Sequence, residues 1–562
     1  MSTSTTPLAG STSTGADRFT VAALGVGALS CVLVVLPYRS FDLDRFLVPK
    51  ELLLQLTVLV TGIVTLWRRR RTGDLSMDAA AWLWIAYLAL TTLSVAVAQN
   101  GWLAWRASTL TISAAMAFFV GRSLQRVGLG GAVARVLAAV VTAGAITALL
   151  QAYGIKMEWA AMSRAPGGTF GNRNFMAHLA AAGVPLLFYC IATARGWIAS
   201  LLWSAALTMC AGALVLSRTR ASWLALMAWG AAAFVLVVRG PSLFDVTGAK
   251  RRASVALTAT IVGVVAAVVI PNRLEWKSDN PYLESVTGVV NYKEGSGAGR
   301  LRQYQNSARI ALSYPLGVGA GNWPVQYPSF APSGDPSMSE TTGMTANPWP
   351  SSDWMATLSE RGGLGVATWG ALVAILLLTA WRVRHDAART AAERLATVAG
   401  ASVLLIASIE GLFDAVLLLP VNALVVMAVA GAMIPAGDAA GPWRGRLMIG
   451  AGLRTVGTVV VGLLLGSAVV QSAGRVEAMR LYTEGLFDLA AAREEISRRG
   501  EVLSNQWTER TAKIDALTAD LAAARQELET LKGGKTPLPM PSAEGFSKVL
   551  EMVRRRAERA EA

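Results

Sequence analysis

Two arginines, Arg218 and Arg220, interrupt an otherwise apolar run in LSRTRASWLALMAWG (215–229). A charge near bilayer depth is costly, and positions that keep one usually serve an ion or a substrate. Guanidinium grips phosphate oxygens through paired N–H bonds, so the pair suits an anionic ligand. The plainer alternative is two interfacial arginines whose heads reach water. APGGTFGNRNFMAH (165–178) places glycines before Asn172, Arg173 and Asn174, with His178 one turn further on. Free N–H groups at a helix start suit an anion or a sugar, and a turn closed by an asparagine cap is the alternative. GSGAGRLRQYQNSARIALSYPLGVGAGNW (295–323) adds Arg300 and Arg302. Its 300–312 portion reads as an amphipathic helix, with Leu301, Ala308 and Leu312 on one face and Arg302, Asn306 and Arg309 on another. ANPWPSSDWMATLSERGG (346–363) supplies two acids, Asp353 and Glu360. Arginines from several segments with carboxylates nearby point to a phosphate or pyrophosphate site.

The elements that must position these residues are membrane helices. Of 562 residues, 53% are hydrophobic and only 15% charged, and the mean hydropathy is +0.45. A soluble chain would carry roughly 25% charge. The expected fold is all-α, a polytopic transmembrane helical bundle of about 12–13 spans. The spans fall near 19–37, 51–67, 79–97, 104–121, 131–152, 172–193, 197–216, 221–238, 253–270, 361–381, 396–414, 416–435 and 447–470. The net charge of +15 is explained by Lys and Arg gathered in loops such as Arg68–Arg71 and Arg382–Arg394. That makes their side cytoplasmic and removes the case for nucleic acid. The segments carrying the chemistry then all face outward: 153–171, 217–220 and the long loop 271–360. The N-terminal tail, 1–18, reads as disordered and cytoplasmic. Cys31, Cys190 and Cys210 lie in apolar stretches without metal-ligand spacing and read as packing residues. No metal and no cofactor are expected.

GGTFGNRNFMA, LSRTRASWLAL, SGAGRLRQYQNSARIALSYPLGVGAGNW and DWMATLSERGGLG occur here in the order found in the O-antigen ligase and O-antigen polymerase superfamily. Over about residues 20–435 the chain resembles that family. The resemblance implies a GT-C-like, metal-independent glycosyltransferase of the bacterial inner membrane. Such an enzyme moves a glycan from undecaprenyl pyrophosphate to an acceptor hydroxyl on the periplasmic face. It also implies pyrophosphate ligands at Arg220 and Arg300, with Arg218 and Arg302 as neighbours that assist. Asn172, Asn174 and Glu360 are supporting residues. The chain departs from the family where a histidine usually acts as general base. The matching position reads Ser351, and no histidine lies anywhere in 271–360. A serine hydroxyl cannot take that proton at neutral pH. The catalytic base is left to Asp353 or to His178, while His385 falls on the cytoplasmic side.

Beyond the membrane domain, 19–470, lies an extracytoplasmic helix or coiled coil, 471–533. Ile496, Gly500, Leu503, Trp507, Arg510, Ile514, Leu517, Leu521, Ala524, Leu528 and Leu531 step by alternating four and three. Such a seam through 475–532 calls for a second copy, a protein partner, or loose packing as a solvated tail. Residues 534–562 read as a linker followed by a short basic helix. The missing histidine and the added helix also fit a catalytically inactive relative serving as a membrane scaffold. A transporter would need charges deep in several spans. Glu410, with Asp414 or Arg454, is all that lies near a span interior.

Overall fold

Thr14 and Asp17 open the first helix. The Thr14 backbone N–H donates to the Asp17 carboxylate at 2.8 Å, closing the N-terminus of α1 (Gly15–Leu33). The computed structural model describes residues 14–37, 44–69, 75–155, 165–239, 249–276, 278–288, 295–339, 343–436, 445–447 and 451–531, with a few positions between 545 and 555. Most of the expected N-terminal tail and the linker after 533 lie outside the described residues. The described positions between 545 and 555 are helical.

α1 is followed by α2 (Leu47–Arg69), α3 (Ala79–Ser94), α4 (Gly101–Arg126), α5 (Gly130–Ala152), α6 (Arg173–Ala192), α7 (Trp197–Ser217), α8 (Arg220–Arg239) and α9 (Ala249–Val269). The long loop carries α10 (Pro281–Thr287), α11 (Gly295–Ser313) and α12 (Trp323–Gln326). Then come α13 (Asp353–Arg384), α14 (Ala391–Phe413), α15 (Pro420–Met433) and α16 (Ala451–Leu531). Eleven of these are long and apolar enough to cross a membrane, and two shorter apolar helices lie in α8 and α15. They fall at the thirteen positions the hydropathy predicts, so the protein is a multi-pass helical bundle. Among the described residues a two-stranded sheet accompanies the helices: β1 (Leu75–Met77) pairs antiparallel with β2 (Gly445–Leu447), Leu75 opposite Leu447.

Small residues let the helices approach closely, as membrane packing requires. A Cβ at Gly431 of α15 would overlap the Phe118 carbonyl of α4, and one at Gly121 would overlap the Ala428 carbonyl. α6 lies at the centre, with 83% of its apolar window buried, and packs on α5, α7 and α14. Polar ties fix the helix ends. The Lys50 ammonium donates to the carbonyls of Cys31, Val32 and Val34 at 2.8–3.1 Å, which satisfies the open end of α1. Glu51 of α2 pairs with both Arg106 of α4 and Arg475 of α16.

The helix predicted over 300–312 is present as α11, but its apolar face is not the one that packs. Leu301 and Leu312 are exposed, whereas Gln303, Asn306, Ser307 and Ile310 are buried. Hydrogen bonds explain the inversion. Ser307 accepts from the Trp323 indole at 2.9 Å, and the Asn306 amide donates to Asp335 and to the Tyr327 hydroxyl, both at 3.2 Å.

The chain divides into two compact units, residues 1–483 and 484–562. In the second, the helical stretch to Leu531 leaves Ile496, Leu503, Trp507, Ile514, Leu517, Leu521 and Leu528 exposed.

Candidate functional site

The glycine-rich turn before α6 is pinned from two sides. Gly168 donates its N–H to the Gln151 side chain at 2.8 Å, and the Thr169 hydroxyl donates to the Val32 carbonyl at 2.6 Å. Asn172 then caps α6, its side-chain oxygen accepting the Asn174 N–H at 3.0 Å. This frees the Asn174 side chain to bridge. Its oxygen accepts from the Thr219 hydroxyl at 3.2 Å, and its Nδ2 donates to Asp414 Oδ2 at 3.1 Å.

Asp414, one residue past the end of α14, is the hub. Its Oδ2 also receives the Arg300 guanidinium at 3.3 Å and lies 3.4 Å from His178 Nε2. One turn earlier on α14, Glu410 contacts His178 Nδ1 at 3.1 Å and accepts from the Ser222 hydroxyl. His178 and Glu410 are fully buried. The imidazole is therefore held edge-on between two carboxylates, and its orientation is fixed by contacts on both ring nitrogens. Burial pushes the Asp414 carboxyl up. Hydrogen bonding and charge from His178, with the charge of Arg300, outweigh this and hold it at about 2. Asp414 is thus an ionised acceptor at any physiological pH. Among the described residues no group of His, Cys, Asp and Glu is arranged as a metal site.

The other arginines have different engagements. Arg218 closes the turn between α7 and α8 in the left-handed region, φ 54°, where a residue other than glycine is uncommon. Its Nε donates to the Ser285 hydroxyl at 2.7 Å, its Nη2 meets Glu284 at 2.9 Å, and its head lies 4.9 Å from the Trp276 ring. It therefore ties the turn to α10. Arg220 donates to the Gly288 carbonyl at 2.6 Å. Arg302 is exposed. Side-chain contacts bring together Arg300, Asn174 and His178; they do not draw Arg218, Arg220 or Arg302 into that cluster.

Asp353 begins α13, after Ser352, whose hydroxyl oxygen accepts the Met355 N–H at 3.3 Å as the helix cap. Both Asp353 oxygens accept backbone N–H groups, from Val416 at 3.0 Å and Leu417 at 2.9 Å. The acid thereby fixes the turn that carries Asp414. Ser351, at the position where the resembled family keeps a histidine, donates its backbone N–H to Gln303 at 2.9 Å. Glu360 accepts backbone N–H groups of Gly321 and Trp323 and pairs with Arg361 at 3.2 Å. Arg361 also donates to Thr91 at 3.0 Å and Thr111 at 3.2 Å. Asp353, Glu360, Arg361 and Arg106 line a cavity of about 130 Å³ whose remaining walls are largely apolar, including Trp84, Trp349 and Leu418.

The glycine-rich segment 317–321 docks on α13 where that helix is broken. Val318 and Gly319 donate to the carbonyls of Ser359 and Glu360 at 2.9 and 3.0 Å. Gly362 breaks the helix with φ 68°. A Cβ at Gly317 or Gly362 would overlap the facing backbone, at Glu360 and Pro315 respectively. Only glycine fits at either position.

Sequence reasoning missed Asp414, Glu410 and Ser222 as site residues. The available signal was two acids four apart, Glu410 and Asp414, at the end of an apolar span. Asp414 instead figured only as an argument about transport.

No curated protein matches the chain. Residues 205–370, running from α7 through the loop helices into α13, match the O-antigen ligase family model. That stretch carries Arg218, Arg220, Arg300, Asp353 and Glu360, and over it the chain is similar to the O-antigen ligase family.

Proposed function

We propose that the chain transfers a glycan from undecaprenyl pyrophosphate to an acceptor hydroxyl, at the end of the bundle where Arg300 meets Asp414. The observation that carries this reading is the Asp414 hub, which joins α6, α14 and α11 and holds Arg300 by a single charged contact. A diphosphate offers Arg300 a stronger, bidentate partner. Arg220, which follows the Asn174-bound Thr219 and donates to the Gly288 carbonyl, is the second ligand, and exposed Arg302 adds to the local positive charge. As the acceptor hydroxyl attacks the anomeric carbon, the bond to the pyrophosphate breaks and both guanidiniums stabilise the departing charge. The hydroxyl proton passes to a carboxylate. Asp414, the carboxylate that meets Arg300, is the candidate acceptor for that proton. His178 and Asp353 act as positioning residues in this reading, one orienting the Asp414 carboxylate and the other its turn. Arg218 anchors the loop, Asn172 caps α6, and Glu360 holds the glycine turn.

The loop charges support an orientation with the N-terminus cytoplasmic and with this end and the C-terminal helix on the opposite side, which in this reading is the periplasmic face of a bacterial inner membrane. The test is transfer by purified protein supplied with lipid-linked glycan. Arg300→Ala is expected to reduce it at least about 100-fold, and undiminished transfer overturns the assignment. The absence of a histidine at Ser351 favours one other reading, a silent relative acting as a scaffold. Wild-type protein with no transfer, and a stoichiometric partner lost on deleting 484–562, decides for it.

The exposed seam from Leu503 to Leu528 fits a parallel coiled coil with a second copy. In that pairing Asp520 of one helix faces Arg525 of the other, opposite charges at the flanking positions. Leu517→Lys with Leu521→Lys should convert a dimer to a monomer by mass photometry while leaving transfer per chain measurable. A wild-type monomer refutes the pairing.

A further inference from the structure

The end of the bundle opposite Asp414 holds a buried arginine with few partners. Arg122 lies one turn before the end of α4, about 24 Å by helical rise from Arg106 near the other end of the same helix. It is 4% exposed. Its Nη1 donates to Asp78, and its head lies 5.0 Å from the Phe118 ring. Among the described residues its Nε and Nη2 have no acceptor. Asp78 is no reserve, because its other oxygen caps α3 by accepting the Ala81 N–H at 2.8 Å. Buried polar groups are almost always satisfied, and a buried guanidinium with two open donors calls for a missing acceptor.

Arg122 lines a cavity of about 280 Å³ between the start of α3, the end of α13 and the end of α15. Arg382 and Arg389 share its wall with Asp78 and Asp386. Asp386 is already engaged, by Arg389 at 3.3 Å and by the Ala388 N–H at 2.9 Å. Arg382 is exposed. With both acids taken, the wall retains an excess of positive charge. Its remaining sides are apolar, formed by Ala80, Leu376 and Val383 among others.

We infer that this cavity binds a phosphate oxyanion, accepting the open donors of Arg122 and the charge of Arg382. The apolar wall beside those charges suits a phosphodiester headgroup with the root of its acyl chains, as in an anionic phospholipid. A free phosphate carries the same oxyanion, and the experiment separates the two.

Full-length protein is purified in mild detergent and offered phosphatidylglycerol, phosphatidylcholine or inorganic phosphate, with native mass spectrometry and thermal melting as readouts. Retention of phosphatidylglycerol with a Tm rise of several degrees, and none with phosphatidylcholine, is expected. Arg382→Gln should weaken retention about tenfold, the loss of one charge-assisted contact. Thr379→Trp, which fills the cavity, should abolish it. Arg122→Gln should do the same; if that variant does not fold, the other two still decide. Equal protection by millimolar inorganic phosphate alone, lost in the same variants, assigns the site to a soluble phosphate. No protection by either, or retention unchanged in Arg382→Gln and Thr379→Trp, overturns the inference.

Discussion

Both ends of the bundle set an arginine against an aspartate, but the two pairs are built differently. At one end Asp414 is crowded: Arg300, Asn174 and His178 all converge on a single oxygen, and Glu410 and Ser222 back the histidine. At the other, Arg122 has one carboxylate and two open donors. The first pair has an excess of donors around an acceptor, and the second an excess of donor capacity with too little to accept it. A buried charge that loses its only partner is expensive, whereas a network shares the loss among its members. The Arg122 end should therefore be the brittle one, and the Asp414 end the one where chemistry changes before stability does.

Three substitutions test that contrast. The largest loss of stability is expected from Asp78→Ala. It strands Arg122 and removes the cap of α3, at about 3–5 kcal/mol for the pair, while transfer per folded molecule stays near wild type; denaturant melts alongside transfer assays read both. Glu410→Gln keeps the shape but removes the charge facing His178 and Ser222. A loss of about 1–3 kcal/mol is expected, with a severalfold drop in transfer. The smallest stability effect, about 1 kcal/mol, belongs to Asn174→Ala, yet transfer should fall at least tenfold because Asp414 loses a fixed donor and its aim. If Asn174→Ala melts as early as Asp78→Ala, or leaves transfer intact, the proposed division between the two ends fails.

Much of this architecture was open to a reader of the sequence. Apolar run length is a local property, so the thirteen helices fall where hydropathy puts them, and the loop arginines mark one side. The site was legible only in part. His178, Asn174, Arg300 and Asp353 stand out by residue type, but their jobs depend on contacts across great sequence separations. Asn174 and Asp414 are 240 positions apart, and Asp353 meets Val416 across 63. No spacing rule links such pairs. The face of α11 was misjudged for a related reason. Apolar periodicity assumes that a helix packs by burying carbon, and α11 packs by hydrogen bonds through Gln303, Asn306 and Ser307.

The glycine contact between the loop and α13 has a bearing on engineering. Gly317 and Gly362 each sit where a side chain would strike the other's strand of backbone, so the two segments were fitted to one another as a matched set. A designer wishing to borrow this protein's outer loop, or to give it a relative's, should cut on either side of the matched set. The transplantable module runs from before Pro315 to beyond Gly362. Chimeras joined within it would inherit one half of a lock and the other half of a different key.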